Sequence, residues 1–183
     1  MHGVVTVLPE PYFERVAHLW QALKLHFGVG SPKATAVPHF SYHISPEYDL
    51  AVLEEVLLET AVSTPPFTVK TTGIGIFPGE KPVVYLPVTR TPELQALHSA
   101  LWPRLQSVAT GNAPESAYYA AANWFPHITL GHSDITAENL GPIITWLNGQ
   151  SLAWEIPVTN LTLLHDKGDC SPHVPLHRAE LQG

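Results

Sequence analysis

A single cysteine, Cys170, excludes an intrachain disulfide framework and fits a reducing compartment. Positive charge is scarce: nine Lys and Arg stand against sixteen Asp and Glu, for a formal charge of −7. The nine are scattered, so the chain lacks the clustered cations that a duplex-DNA footprint needs to displace counterions. No apolar run reaches the length of a membrane span. The opening Met1-His2-Gly3-Val4-Val5 has neither the basic region nor the apolar run of a signal peptide. A cytoplasmic protein with no membrane and no DNA duplex as partner is therefore expected. No Gly-x-x-x-x-Gly-Lys loop occurs, and Gly73-Ile74-Gly75 is too short for a dinucleotide fingerprint, so no cofactor is expected.

Apolar residues and histidine are present in quantity. At 183 residues and 45% hydrophobic, the chain can bury a substantial core as one domain or two small lobes. Eleven histidines outnumber the Lys and Arg together, which invites a search for imidazole chemistry while guaranteeing some chance patterns.

Strands are expected at about Val4 to Leu8, Pro38 to Ile44, Phe67 to Phe77, Val83 to Val88, Trp124 to Gly131, Trp154 to Leu164 and Val174 to Leu181. Between them, Phe13, Val16, Trp20, Leu23 and Phe27 recur at helical spacing, which predicts a helix from Pro11 to Phe27. Further helices are expected from Tyr48 to Ala61, from Pro92 to Val108 with Thr91 as cap and a kink or break at Pro103, and from Ala137 to Leu147. Each half thus reads strand, helix, histidine-bearing strand, helix, strand. The offset between halves is similar throughout: 79 positions from Val4 to Val83, 81 from Pro11 to Pro92 and 88 from His39 to His127. The expected fold is α+β, a single bilobal domain over 1–183 with pseudo-repeats at about 3–78 and 82–182, predominantly antiparallel sheets and a central cleft.

The chemistry concentrates in two strands of one pattern, Pro38-His39-Phe40-Ser41-Tyr42 and Pro126-His127-Ile128-Thr129-Leu130. In a strand, residues two apart share a face and lie roughly 6.6 Å apart along the axis. His39 with Ser41, and His127 with Thr129, therefore each offer an imidazole and a hydroxyl to one centre. Displacement at phosphorus needs one group to take a proton from the nucleophile and another to give one to the leaving oxygen, and histidine suits both roles near neutral pH. His39 and His127 are the candidate catalytic residues, Ser41 and Thr129 the candidate phosphate-binding residues. No metal is called for. A bare His-x-Ser/Thr tripeptide carries little weight; its third copy, His43-Ile44-Ser45, corresponds to Gly131 in the other half, so His43 is expected as an accessory on the His39 face. The run His165 to His173, with Asp166, Asp169 and Cys170, lacks the paired spacing of a zinc site and reads as a turn-rich connection. Phe77, Tyr85, Tyr118 and Tyr119 are candidates for stacking a nucleobase, with core packing the simpler role for Tyr85. Trp20 reads as core.

These motifs on a duplicated framework resemble the two-histidine phosphoesterase superfamily, whose bacterial members are called 2'-5' RNA ligase family proteins or cyclic phosphodiesterases. Gly73 to Phe77, Val83 to Val88 and Leu94 to His98 are similar to the segments that come after the first motif in that family. The resemblance implies a bilobal fold with both motifs lining the cleft and activity on 2',3'-cyclic phosphates or 2'-5' links. It also implies a nucleotide or short RNA end as partner. Ser41 departs from the more usual threonine but keeps the hydroxyl. The rival reading from another class is a binding module for phosphorylated nucleotide or RNA ends without turnover.

Overall fold

The computed structural model describes residues 1–30, 37–111, 114–167 and 172–183. Cys170 and Asp169, in the carboxy-terminal run, lie outside the described residues.

Local chemistry sets the helices. α1 (Tyr12–Phe27) buries Val16, Leu19 and Leu23, and ends at Gly28, whose φ of 74° turns its N–H back to the Lys24 carbonyl at 3.1 Å. α2 (Leu50–Val62) starts at Asp49, which accepts from the Val52 N–H at 3.3 Å. α3 (Pro92–Val108) is capped by Thr91 and runs unbroken through Pro103, against the expected kink. Its buried stripe of Leu94, Leu97, Leu101 and Leu105 holds it on the core through the missing N–H. α4 (Ala137–Asn148) opens with a reciprocal capping box between Thr136 and Asn139. No helix among the described residues is long and apolar enough to cross a membrane.

The strands are β1 (His2–Val7), β2 (His39–Ser45), β3 (Glu47–Tyr48), β4 (Phe67–Lys70), β5 (Gly75–Phe77), β6 (Val83–Pro87), β7 (Ala109–Thr110), β8 (His127–Gly131), β9 (Glu155–Val158), β10 (Asn160–His165) and β11 (Val174–Glu180). The first lobe is one antiparallel sheet in the order β11-β10-β1-β2. The second combines β5-β6-β8 with the β4-β9 pair, joined by a bridge between Thr71 and Val88. Two expected long strands are therefore each two: Phe67–Phe77 is interrupted after Lys70, with Gly73 at φ 131°, and Trp154–Leu164 divides at Thr159. The divisions have a topological reason. β9 pairs with β4 in the second lobe, whereas β10 pairs with β1 and β11 in the first. The lobes consequently do not coincide with the sequence halves, because each half sends its last strands into the other's sheet. One core runs beneath both, including Phe40, Tyr42, Leu53, Leu101, Ile128, Leu130 and Ile156.

The two lobes repeat one register. Val7, Thr6 and Val5 lie opposite His39, Phe40 and Ser41, and after a slip Val4 lies opposite His43. Pro87, Leu86 and Tyr85 lie opposite His127, Ile128 and Thr129, and after a slip Val84 lies opposite Gly131. Tyr42 and Leu130 are thus the extra residues of two matching bulges, each immediately after a motif hydroxyl.

Candidate active site

The bulge at Tyr42 corrects the expectation for His43. An extra residue resets the two-residue alternation, so Tyr42 and His43 are both buried and Ile44 takes the outer face beside His39 and Ser41. The His43 ring lies inside the protein, its Nδ1 against the Tyr48 hydroxyl and its Nε2 2.7 Å from the Gln106 amide nitrogen. Burial lowers its pKa to about 4, with His98 adding to the effect. At the matching position Gly131 is needed for close packing, since a Cβ there would come 2.9 Å from Ile135 and 3.0 Å from Val29.

The four motif side chains stand at the edges of the two sheets. β2 and β8 are edge strands of their sheets, and His39, Ser41, His127 and Thr129 are all partly exposed. His39 and His127 are close enough for their charges to interact. Their rings are oriented identically: Nδ1 of His39 donates to the Val37 carbonyl at 2.6 Å, and Nδ1 of His127 to the Phe125 carbonyl at 2.7 Å. A carbonyl can only accept, so each neutral ring carries its proton on Nδ1 and presents the Nε2 lone pair. Burial lowers the His39 pKa to about 4 against the opposing Val37 bond, with His173 and His127 lowering it further. Burial also lowers that of His127, against the Phe125 bond. Among the described residues, neither the Ser41 nor the Thr129 hydroxyl has a hydrogen-bond partner, which leaves both available to a ligand.

Two tryptophans hold these edges. The Trp124 indole N–H donates to the Ser41 carbonyl at 2.8 Å, and the Trp20 indole N–H to the Thr129 carbonyl at 3.0 Å. Each bond satisfies an edge-strand carbonyl at the motif hydroxyl and fixes where that hydroxyl sits. Trp124 is itself buried, stacked on His98 with ring centroids 3.8 Å apart. On the far side of β1, Asn160 accepts from the Val7 N–H at 3.1 Å and donates to the Val7 carbonyl at 2.8 Å, pinning the residue opposite His39. Helical periodicity places Trp20 only as core, and nothing in the sequence alone separates an indole that fills space from one that caps a strand.

The surroundings of the two motifs differ. Beside His127, Phe77 and Tyr85 stack with centroids 4.2 Å apart, and both rings lie within 5.1 Å of the imidazole. Phe125 meets Tyr85 edge-on at 5.8 Å and is 47% exposed. Gly75 makes room for this arrangement, since a Cβ there would fall 2.2 Å from the Tyr85 ring. Tyr118 is exposed at 71%, and the Tyr119 backbone carbonyl accepts from His98 Nε2 at 2.9 Å. Beside His39, a small open hollow is lined by His2, Val5, His39, Ser41, Asp166 and His173. No group of three His, Cys, Asp or Glu among the described residues is arranged to hold a metal ion.

A sequence profile described as the 2'-5' RNA ligase superfamily matches residues 9–169. The chain belongs to the 2'-5' RNA ligase superfamily. No curated protein matches it. Among solved structures, TT0787 of Thermus thermophilus superposes with a TM-score of 0.70 at 18% identity, covering 100% of this chain and 98% of that one. Escherichia coli LigT complexed with 3'-AMP superposes at 0.61 with 22% identity, covering 100% of this chain and 97% of LigT. LigT complexed with NADP+ gives 0.57 at 22% identity, with 100% and 98% covered. These likenesses establish the fold.

Proposed function

We propose that this member of the superfamily is a phosphoesterase that opens the 2',3'-cyclic phosphate of a nucleotide or RNA end. The observation that carries the reading is the pair of identically oriented imidazoles, each followed two residues later by an unpartnered hydroxyl on a matching strand.

In this reaction one Nε2 accepts a proton from water as its oxygen bonds to phosphorus. The other ring, protonated on Nε2, gives its proton to the ribose oxygen as that P–O bond breaks. The hydroxyls of Ser41 and Thr129 donate to the non-bridging oxygens, where charge needs stabilising. Trp20 and Trp124 act through the backbone, as positioning residues. Phe77 and Phe125 offer rings to a nucleobase on the His127 side. The nucleotides in the LigT structures support a nucleotide occupant. The superfamily's description favours a second reading, cleavage or joining of 2'-5' links by the same four side chains.

A substrate panel of 2',3'-cyclic nucleotides, 2'-5' dinucleotides and RNA ends bearing a cyclic phosphate, assayed with and without a chelator, tests this. Chelator-insensitive ring opening of the cyclic phosphates is expected. Tight nucleotide binding with no product from any of them would make the protein a binding module.

A further inference from the structure

Apart from the acid–base pair, the cleft's most distinctive feature is the concentration of imidazole on the His39 side. His173, on the approach to β11, comes close enough to His39 for their charges to interact, and both line the same hollow with His2 and Ser41. The His2 and His165 rings lie 4.4 Å apart, and His2 Nδ1 is 3.2 Å from the Pro46 carbonyl. His173 Nε2 stands 3.7 Å from the Asp166 carboxylate. The second lobe has Phe77, Tyr85 and Phe125 around its motif instead. A cleft that stacks rings at one end and gathers chargeable N–H donors at the other suits a ligand with a base at one end and a further anion at the other.

We propose that the hollow lined by His2 and His173 is a subsite for a second phosphate group, so that the preferred substrate carries a phosphate or phosphodiester in addition to the one held between His39 and His127. This rests on the nucleotide reading of the site and names its substrate class more narrowly. His2 and His173 would donate hydrogen bonds to that second group, and Asp166 holds the His173 ring in place.

The groups facing these rings set the pH dependence. His173 faces Asp166 and His165 of β10 and its end, His39 of β2, and the amine of Met1; His2 faces His165, Glu47 and the same amine. Burial keeps both rings below the usual histidine range, with the Asp166 charge opposing it at His173 and the Pro46 bond at His2. An arriving phosphate favours the charged rings, so binding takes up protons and tightens as pH falls.

Titration calorimetry of the whole chain with a nucleoside 3',5'-bisphosphate, a nucleoside 3'-monophosphate and a dinucleotide ending in 3'-phosphate, at pH 6 and pH 8, reads this directly. The bisphosphate or the dinucleotide should bind about tenfold more tightly than the monophosphate at pH 6, the size of one charge-assisted contact. Which of the two is tighter tells a terminal phosphate from an internal diester. The preference should shrink at pH 8, and His173→Asn and His2→Asn should each bring the ratio toward one. Equal affinities at both pH values, or a preference untouched in both variants, would overturn the subsite. Because binding is read without turnover, a preserved preference in a protein that opens no cyclic phosphate would sink the proposed activity and leave the subsite standing.

Discussion

The two lobes share a backbone and differ in what lines it. In both, the motif strand pairs with its neighbour in the same register, bulges at the same place, receives an indole N–H at the hydroxyl residue's carbonyl, and turns its imidazole by a bond two residues upstream. Opposite the hydroxyls, however, stand Val5 in one lobe and Tyr85 in the other, and behind the bulges stand buried His43 and close-packed Gly131. In the proposed function the repeated backbone serves as a symmetric clamp for a phosphate. The unrepeated side chains give the two motifs unlike surroundings, imidazole beside His39 and aromatic beside His127, and on the proposed function these would set the direction of a bound nucleotide.

The largest expected effect tests the symmetric part. His39→Ala and His127→Ala should each lower kcat/KM for a 2',3'-cyclic nucleotide by roughly a hundredfold or more. The double variant should lose little further, because the two groups act as a unit. A variant that falls only threefold would break the equivalence of the lobes.

The indole bonds come next. Trp124→Phe leaves the Ser41 carbonyl without its donor beneath a buried ring, and should destabilise the fold by about 1–3 kcal/mol in urea unfolding. Trp20→Phe, at a half-buried site, should cost about 1 kcal/mol. Both should lower kcat, since each carbonyl belongs to a residue proposed to bind the phosphate. Equal costs would mean that the difference in burial between the two is immaterial.

A smaller effect separates the two ends. Gly75→Ala must push the buried Tyr85 ring aside, so the KM for a nucleotide should rise by about three- to tenfold, with a loss of about 1–3 kcal/mol in folding stability from overpacking. Nothing comparable is built around Val5.

The last is a pH effect on stability. His39, His43 and His98 each have folded-state pKa values lowered to about 4, in each case chiefly by burial. Between about pH 4 and 6.5 the unfolded chain binds more protons at these rings than the folded one, so stability should decline as pH falls through that window. The melting temperature measured from pH 7 down to pH 5 checks the sign.

Much of this was legible from residue order. Helical spacing located α1, the Thr91-Pro92 pair located the start of α3, and the paired Pro-His strands picked out the four motif side chains. Three features were not legible, for physical reasons. A one-residue bulge reverses every later face assignment without altering composition, which is why His43 was expected beside His39 and is found in the core. Strand partners across the chain are set by packing, so the division of Trp154–Leu164 between two lobes leaves no local signal. The indole caps and the approach of His173 to His39 are likewise contacts between distant segments, and in sequence they look like a core tryptophan, a strand tryptophan and a turn.

The central claim, that His39 and His127 form an acid–base couple, is tested most directly by the pH dependence of kcat/KM on a 2',3'-cyclic nucleotide in the native protein and the two single alanine variants. Because both imidazoles have lowered pKa values, and the productive form has one ring neutral and the other protonated, the native profile should be a bell with its optimum on the acidic side of 6.5. Each variant should lose one limb of the bell along with most of its rate. A flat native profile, or an intact bell in either variant, would contradict the account.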